Sequence, residues 1–167
     1  MGLLAALART AVDNARRSLD DLQRTVAERK TIAPAEGGPH GTVAALPREE
    51  CELLLAEGCV GRLAYVARSG VPDIVPVNYL WHDGTLLIRS GPGPKLQAAD
   101  RRELVAFEVD LVDEESWTGW SVVVAGRLER VPPEEVGRLP LPQPWSNGHR
   151  RHVIRVQASR VSGRRIL

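Results

Sequence analysis

The stretch Leu86-Leu-Ile-Arg-Ser-Gly-Pro-Gly-Pro-Lys-Leu96 changes character twice within a few residues. Its apolar opening reads as a buried strand that ends at Arg89-Ser90. Gly91-Pro-Gly-Pro94 can continue neither a ladder nor a helix, so the chain must bend there. Lys95 then opens a short helix over residues 95–102. A phosphate group needs small residues for close backbone approach, hydroxyl and amide donors, and a cation, and this bend assembles all of them. The same residues also describe a plain strand-to-helix turn with a solvated lysine. It is not a Walker A loop, because the glycine spacing differs and Leu96 follows the lysine.

Outward from that bend, segments of strand type alternate with turn signals at residues 60–67, 73–81, 85–90, 104–110, 119–131, 152–158 and 161–166. Ser69-Gly70 and Asp83-Gly84 are hairpin turns, the second suited to a type I′ geometry. Pro76 inside its segment indicates an edge or a bulge, since proline donates nothing to a ladder. A helix precedes the strands: Pro47 suits its first position, Glu49 and Glu50 its positive end, and Gly58 its stop, with Cys51, Leu54 and Leu55 facing inward. A second short helix fits residues 133–139. Six or seven short strands with few helices predict a mainly β domain closed as an antiparallel barrel or sandwich. No strand–helix–strand alternation or internal repeat points to a doubly wound sheet.

Residues 3–30 carry Leu4, Leu7, Ala11, Ala15, Leu19, Leu22 and Val26 at helical spacing, with Arg and Asp between them. Asp13–Arg17 and Asp20–Arg24 are i,i+4 pairs, so both signs alternate and this is not a basic membrane-surface helix. The pattern predicts an amphipathic helix within residues 1–32, which must pack on its own barrel or, the preferred reading, on a second subunit. Residues 33–45 read as a flexible linker, and residues 46–167 as the barrel domain.

A net charge of +1 gives no general field toward nucleic acid or acidic lipid. The two cysteines, Cys51 and Cys59, have no metal-ligand spacing, and free thiols in a reducing cytosol are expected. No apolar run approaches the ~18 residues of a membrane span, so a cytoplasmic protein is expected. His149-Arg-Arg-His152 has the spacing of a metal pair, but two intervening arginines repel a cation, and no metal is assigned. Four of the few aromatic residues are tryptophans, which serve either as core filling or as flat faces for a planar ring. Trp145, after Pro142-Gln-Pro144, lies in a stiff loop open to the same two readings. Of the 22 Lys and Arg residues only Lys30 and Lys95 are lysines, which singles out the lysine of the bend.

Five motifs in order carry a family resemblance: Leu46-Pro-Arg-Glu-Glu-Cys51, Val60-Gly-Arg-Leu-Ala64, Val75-Pro-Val-Asn-Tyr79, Ile88-Arg-Ser-Gly-Pro-Gly-Pro-Lys95, and Val105-Ala-Phe-Glu-Val-Asp110 with Gly119-Trp-Ser-Val-Val-Val-Ala-Gly-Arg127. Together they resemble the pyridoxamine 5'-phosphate oxidase-like flavin-binding split barrels, notably the actinobacterial members, over residues 46–166. The resemblance implies a six- to seven-stranded antiparallel split β-barrel with peripheral helices. It further implies a homodimer that binds two flavins in clefts between its subunits, with FMN the usual cofactor. Carried over position by position, Ser90 and Lys95 match the phosphate-gripping strand end and loop, with Arg89 beside them as a second cation. Pro76, Val77 and Asn78 match the strand whose backbone runs along the isoalloxazine ring, and Trp120 and Ser121 the segment that reaches the flavin across the cleft. Arg89 stands where the nitroimidazole-resistance branch has a histidine, which argues against nitroreduction or haem ligation there. The basic residues of a true pyridoxamine-phosphate oxidase have no identified counterparts. The activity implied is an FMN-dependent oxidoreductase taking hydride from a reduced nicotinamide to a small acceptor. The alternatives are a coenzyme F420-dependent reductase, with Arg62, Arg89 and Arg127 as extra cations, and a non-enzymatic flavin or haem carrier or sensor.

Overall fold

The structure, a computed structural model, describes residues 41–143, 145 and 150–167. The expected N-terminal helix, most of its linker and His149 lie outside the described residues. Seven strands and three short helices follow one another: β1 (Val43–Leu46), α1 (Arg48–Glu57), β2 (Val60–Val66), β3 (Pro72–His82), β4 (Thr85–Ser90), α2 (Pro94–Asp100), β5 (Leu104–Asp113), β6 (Thr118–Arg130), α3 (Pro133–Val136) and β7 (His152–Ile166). The sheet order is β1-β7-β4-β3-β2-β5-β6, and β6 pairs back onto β7. Six antiparallel strands therefore close into a barrel, and β1 adds to the far end of β7. Among the described residues no helix is long and apolar enough to cross a membrane.

Alternation along the strands builds the interior. Leu63 and Tyr65, Val77 and Tyr79, Leu86 and Ile88, Phe107, Val122 and Val124 point inward and are buried. Tyr79 and Phe107 meet edge-on with ring centroids 4.7 Å apart. The Phe107 ring lies so close over Gly61 that a β-carbon there would stand 2.2 Å from it. Helix α1 packs its fully buried Cys51 and Leu55 against the barrel, and the buried Tyr79 hydroxyl donates to the Leu55 carbonyl at 2.8 Å. Burial of phenol and thiol raises the pKa of both Tyr79 and Cys51.

The turns follow their sequence signals. Asp83 and Gly84 both have positive φ, as a type I′ turn requires, and Gly70 has φ 83°. Two features differ from the sequence reading. Val43–Leu46 forms a strand within the stretch whose composition reads as linker, because β7 offers it a free edge. The segments at 152–158 and 161–166 are one long strand, interrupted by a bulge where Ala125 pairs with Arg160 and Gly126 with Ala158. Ser159 is the extra residue, and its hydroxyl donates to the Ala125 carbonyl at 2.9 Å. A polar Ser-Arg pair looks like a strand break in one dimension, yet the bulge absorbs it.

Candidate ligand site at the open edge of β3

Strand β3 changes partners midway. Residues 72–78 pair with β2, whereas the pairing to β4 covers only Tyr79–His82. Tyr79 donates its N–H to the Cys59 carbonyl on the β2 side, at 3.1 Å. By alternation Ile74, Pro76 and Asn78 turn their peptide groups the other way, where no strand pairs among the described residues. The open edge thus presents carbonyls together with the N–H of Asn78, while Pro76 contributes an acceptor only.

At the end of this edge β4 runs out at Ser90, and the bend leads into α2. Gly93 has φ 145°, a conformation that side chains rarely adopt, and Pro94 starts the helix. Arg89 lies on the outer face, opposite Val153 of β7, and its buried Nε has no hydrogen-bond partner among the described residues. An unpartnered buried guanidinium nitrogen is costly unless an anion meets it. Ser90 is 2% exposed, and its hydroxyl donates to the Gly91 carbonyl at 2.9 Å, so its observed role is to shape the bend. Lys95 is half-buried. Desolvation lowers its pKa most, Arg150 lowers it further, and Asp73 of β3 opposes both.

The other residues singled out in the sequence fall into two places. Asn78 Oδ1 accepts the Trp145 N–H at 3.1 Å, which brings the proline-rich segment after α3 to the β3 edge; the Trp145 ring is 73% exposed. Val77 points into the core, so only its backbone belongs to the edge strand. Trp120 and Ser121 sit elsewhere: Trp120 pairs with Arg165, whereas Ser90 pairs with His152, thirteen residues earlier along β7. That separation is about 40 Å of strand contour, so one chain does not bring the two groups together. Trp120 is half-buried against the core. Arg62 is engaged with Asp110, and Arg127 donates to the Arg102 carbonyl at 2.8 Å.

Two residues near the site were missed. Tyr65 donates to Asp73 Oδ2 at 2.8 Å, and Asp73 in turn acts on Lys95. The signal was present, because a hairpin turning at Ser69-Gly70 places residue 65 opposite residue 73. The tripartite arrangement became visible only once α2 was folded onto that hairpin.

A closed six-stranded antiparallel barrel with an edge strand that splits from its neighbour, next to a cationic Gly-Pro bend, defines a split barrel. The sequence profile of the pyridoxamine 5'-phosphate oxidase family matches residues 47–165, and the chain belongs to that family. It is 37% identical over 132 residues to the uncharacterized protein Rv0080 of Mycobacterium tuberculosis, covering 75% of this chain and 86% of that one. Among solved structures it resembles the FAD binding protein from Mycobacterium smegmatis, with 30% identity, TM-score 0.58, and coverage of 75% of this chain and 100% of that chain. A FAD-binding protein from Mesorhizobium loti is similar at 29% identity and TM-score 0.62, covering 75% and 99%.

Proposed function

We propose that this protein binds a flavin nucleotide along the open edge of β3 and works as an oxidoreductase, accepting hydride from a reduced nicotinamide and passing electrons to a small acceptor. The observation that carries the reading is the buried, unpartnered Nε of Arg89 beside the Gly-Pro bend and its half-buried lysine. Two cations next to a strand edge rich in acceptors suit a ligand with a phosphate at one end and a planar heterocycle at the other. The FAD carried by the two solved relatives supports a flavin here. FMN, the nucleotide that the family resemblance implies, shares with FAD the ring, the ribityl chain and the first phosphate, the only parts that this site addresses.

Lys95 and Arg89 would hold the phosphate, and the backbone of residues 76–78 would lie along the ring. Ser90 would keep the bend in shape. Trp120 and Ser121, remote within one chain, would come from a second copy, which makes the functional unit a homodimer with a site at each cleft. The flavin supplies the redox chemistry when bound. The chain's own residues bind and orient it, and Trp145, tied to Asn78, stands where it can screen the edge from water.

The absorption spectrum of the purified protein, with mass identification of what it releases, tests this reading. A band near ~450 nm and the mass of FMN or FAD are expected, the chromophore being a property of the flavin itself. Bleaching by NADPH with turnover of an added acceptor supports the oxidoreductase. Bleaching without turnover points to a carrier, and a Soret band, a deazaflavin mass or a protein with no affinity for flavins overturns the proposal.

A further inference from the structure

The β2–β3 hairpin bears on the cation of the bend through a chain of polar contacts that neither strand needs for its own folding. Tyr65 and Asp73 are direct partners across the ladder, and the phenol, 4% exposed, donates to the Asp73 carboxylate at 2.8 Å. One rung further out, Val66 pairs with Pro72, and the Val66 carbonyl accepts from the Arg101 guanidinium at 3.3 Å. Arg101 ends α2, and Lys95 lies near its start, about 9 Å away along the helix axis. The hairpin tip is therefore fastened to one end of α2, while Asp73 faces the other.

We propose that Asp73, held by Tyr65, is a positioning residue that fixes the Lys95 ammonium for a phosphate group. For the identity of the ligand this rests on the flavin reading above. Lys95 is faced by Asp73 from β3 and by Arg150 from the segment before β7, with Tyr65 of β2 behind Asp73. Desolvation and Arg150 both disfavour the charged amine, and Asp73 is the group that opposes them. Without that carboxylate the lysine would shed its proton at lower pH, and its attraction for phosphate would go with it. The sign follows from linkage. A lysine whose pKa is depressed in the free protein and restored by a bound dianion takes up a proton on binding, so affinity falls as pH rises through the free-state value.

The chain's composition makes the test direct, because only two lysines, Lys30 and Lys95, are present. Reductive ¹³C-methylation gives one NMR resonance for each, besides the N-terminal amine, and Lys30→Arg assigns them. In the ligand-free full chain, Lys95 should titrate at lower pH than Lys30. Asp73→Asn should lower it further, and Asp73→Glu should largely restore it. Asp73→Thr, which suits a strand, takes over if Asp73→Asn does not fold. An unchanged Lys95 titration in the neutral variant overturns the proposal, whatever the ligand. FMN titrations across pH then read the consequence: the ratio of variant to wild-type Kd should grow about tenfold between neutral and alkaline pH, the effect of about one pKa unit. A ratio independent of pH means a merely structural Asp73 and refutes the positioning role. Failure of the wild-type chain to bind FMN or FAD at all would sink the flavin reading while leaving the lysine titration to stand or fall by itself.

Discussion

Arg89 and Lys95 sit a few residues apart but reach the site by different routes. Arg89 stands on the outer face of a strand with its Nε buried, and Lys95 stands at the start of a helix, half-buried. If both meet one phosphate, Lys95→Ala should cost about 1.5–3 kcal/mol of cofactor affinity, the usual worth of a charged hydrogen bond, or roughly ten- to a hundredfold in Kd. Equilibrium dialysis against FMN measures it, and unchanged retention returns the lysine to a solvated turn. Both cations were legible in the sequence because a Gly-Pro bend exposes what flanks it, and because lysine is rare in this chain. Asp73 was not, since an acidic residue in a strand looks like any solvated charge until its cross-strand partner is known. The Ser90 hydroxyl shows the opposite limit: sequence offers it as a free donor, whereas the fold commits it to the Gly91 carbonyl.

Strands β2, β3 and β5 owe their close approach to a missing side chain. A β-carbon at position 61 would meet Phe107 Cζ at 2.2 Å and the Glu108 carbonyl oxygen at 2.7 Å, and backbone cannot yield as a flexible side chain can. Gly61→Ala should destabilise the barrel by about 2–3 kcal/mol, read as a lower urea midpoint with an unchanged slope. The two tyrosines of the chain, Tyr65 and Tyr79, both belong to this interior. Burial, with the bond to Asp73, pushes Tyr65 up to about 12, and burial pushes Tyr79 higher still. Raised phenol pKa values mean stability that is complete below the unfolded value of about 10 and lost as pH climbs through the folded one. Absorbance at 295 nm should therefore stay flat to about pH 11 and then rise together with unfolding; an early, gradual rise would show that the phenols are exposed. At this scale the hairpins were readable because Ser-Gly and Asp-Gly announce their turns locally. Strand β1 and the continuity of β7 were not, because both depend on a distant edge and a bulge.

For the molecule as a whole, the remoteness of Trp120 from Lys95 makes a prediction about assembly. If each site draws on two copies, Lys95→Ala and Trp120→Ala chains that are each deficient in FMN binding should complement one another when unfolded and refolded together. Random pairing gives half heterodimers, each with one intact site, so about a quarter of all sites should regain flavin. No recovery would mean that each chain builds its site alone. The barrel itself was legible from the count and spacing of strands together with the five ordered motifs. Which residues share a site was not, because Trp120 and Lys95 lie at opposite ends of a strand pairing that only the closed sheet reveals.

Pro72 and Pro76 give the unpaired side of β3 one more property. A bare strand edge invites backbone from a neighbouring molecule, and such templated addition begins fibrils. Two prolines among residues 72–78 remove N–H groups that an incoming strand would use, so the empty protein resists recruitment while the edge keeps its acceptors. Pro76→Thr should leave the fold intact but seed thioflavin-positive aggregates in cofactor-stripped samples, and added flavin should suppress them by covering the same edge.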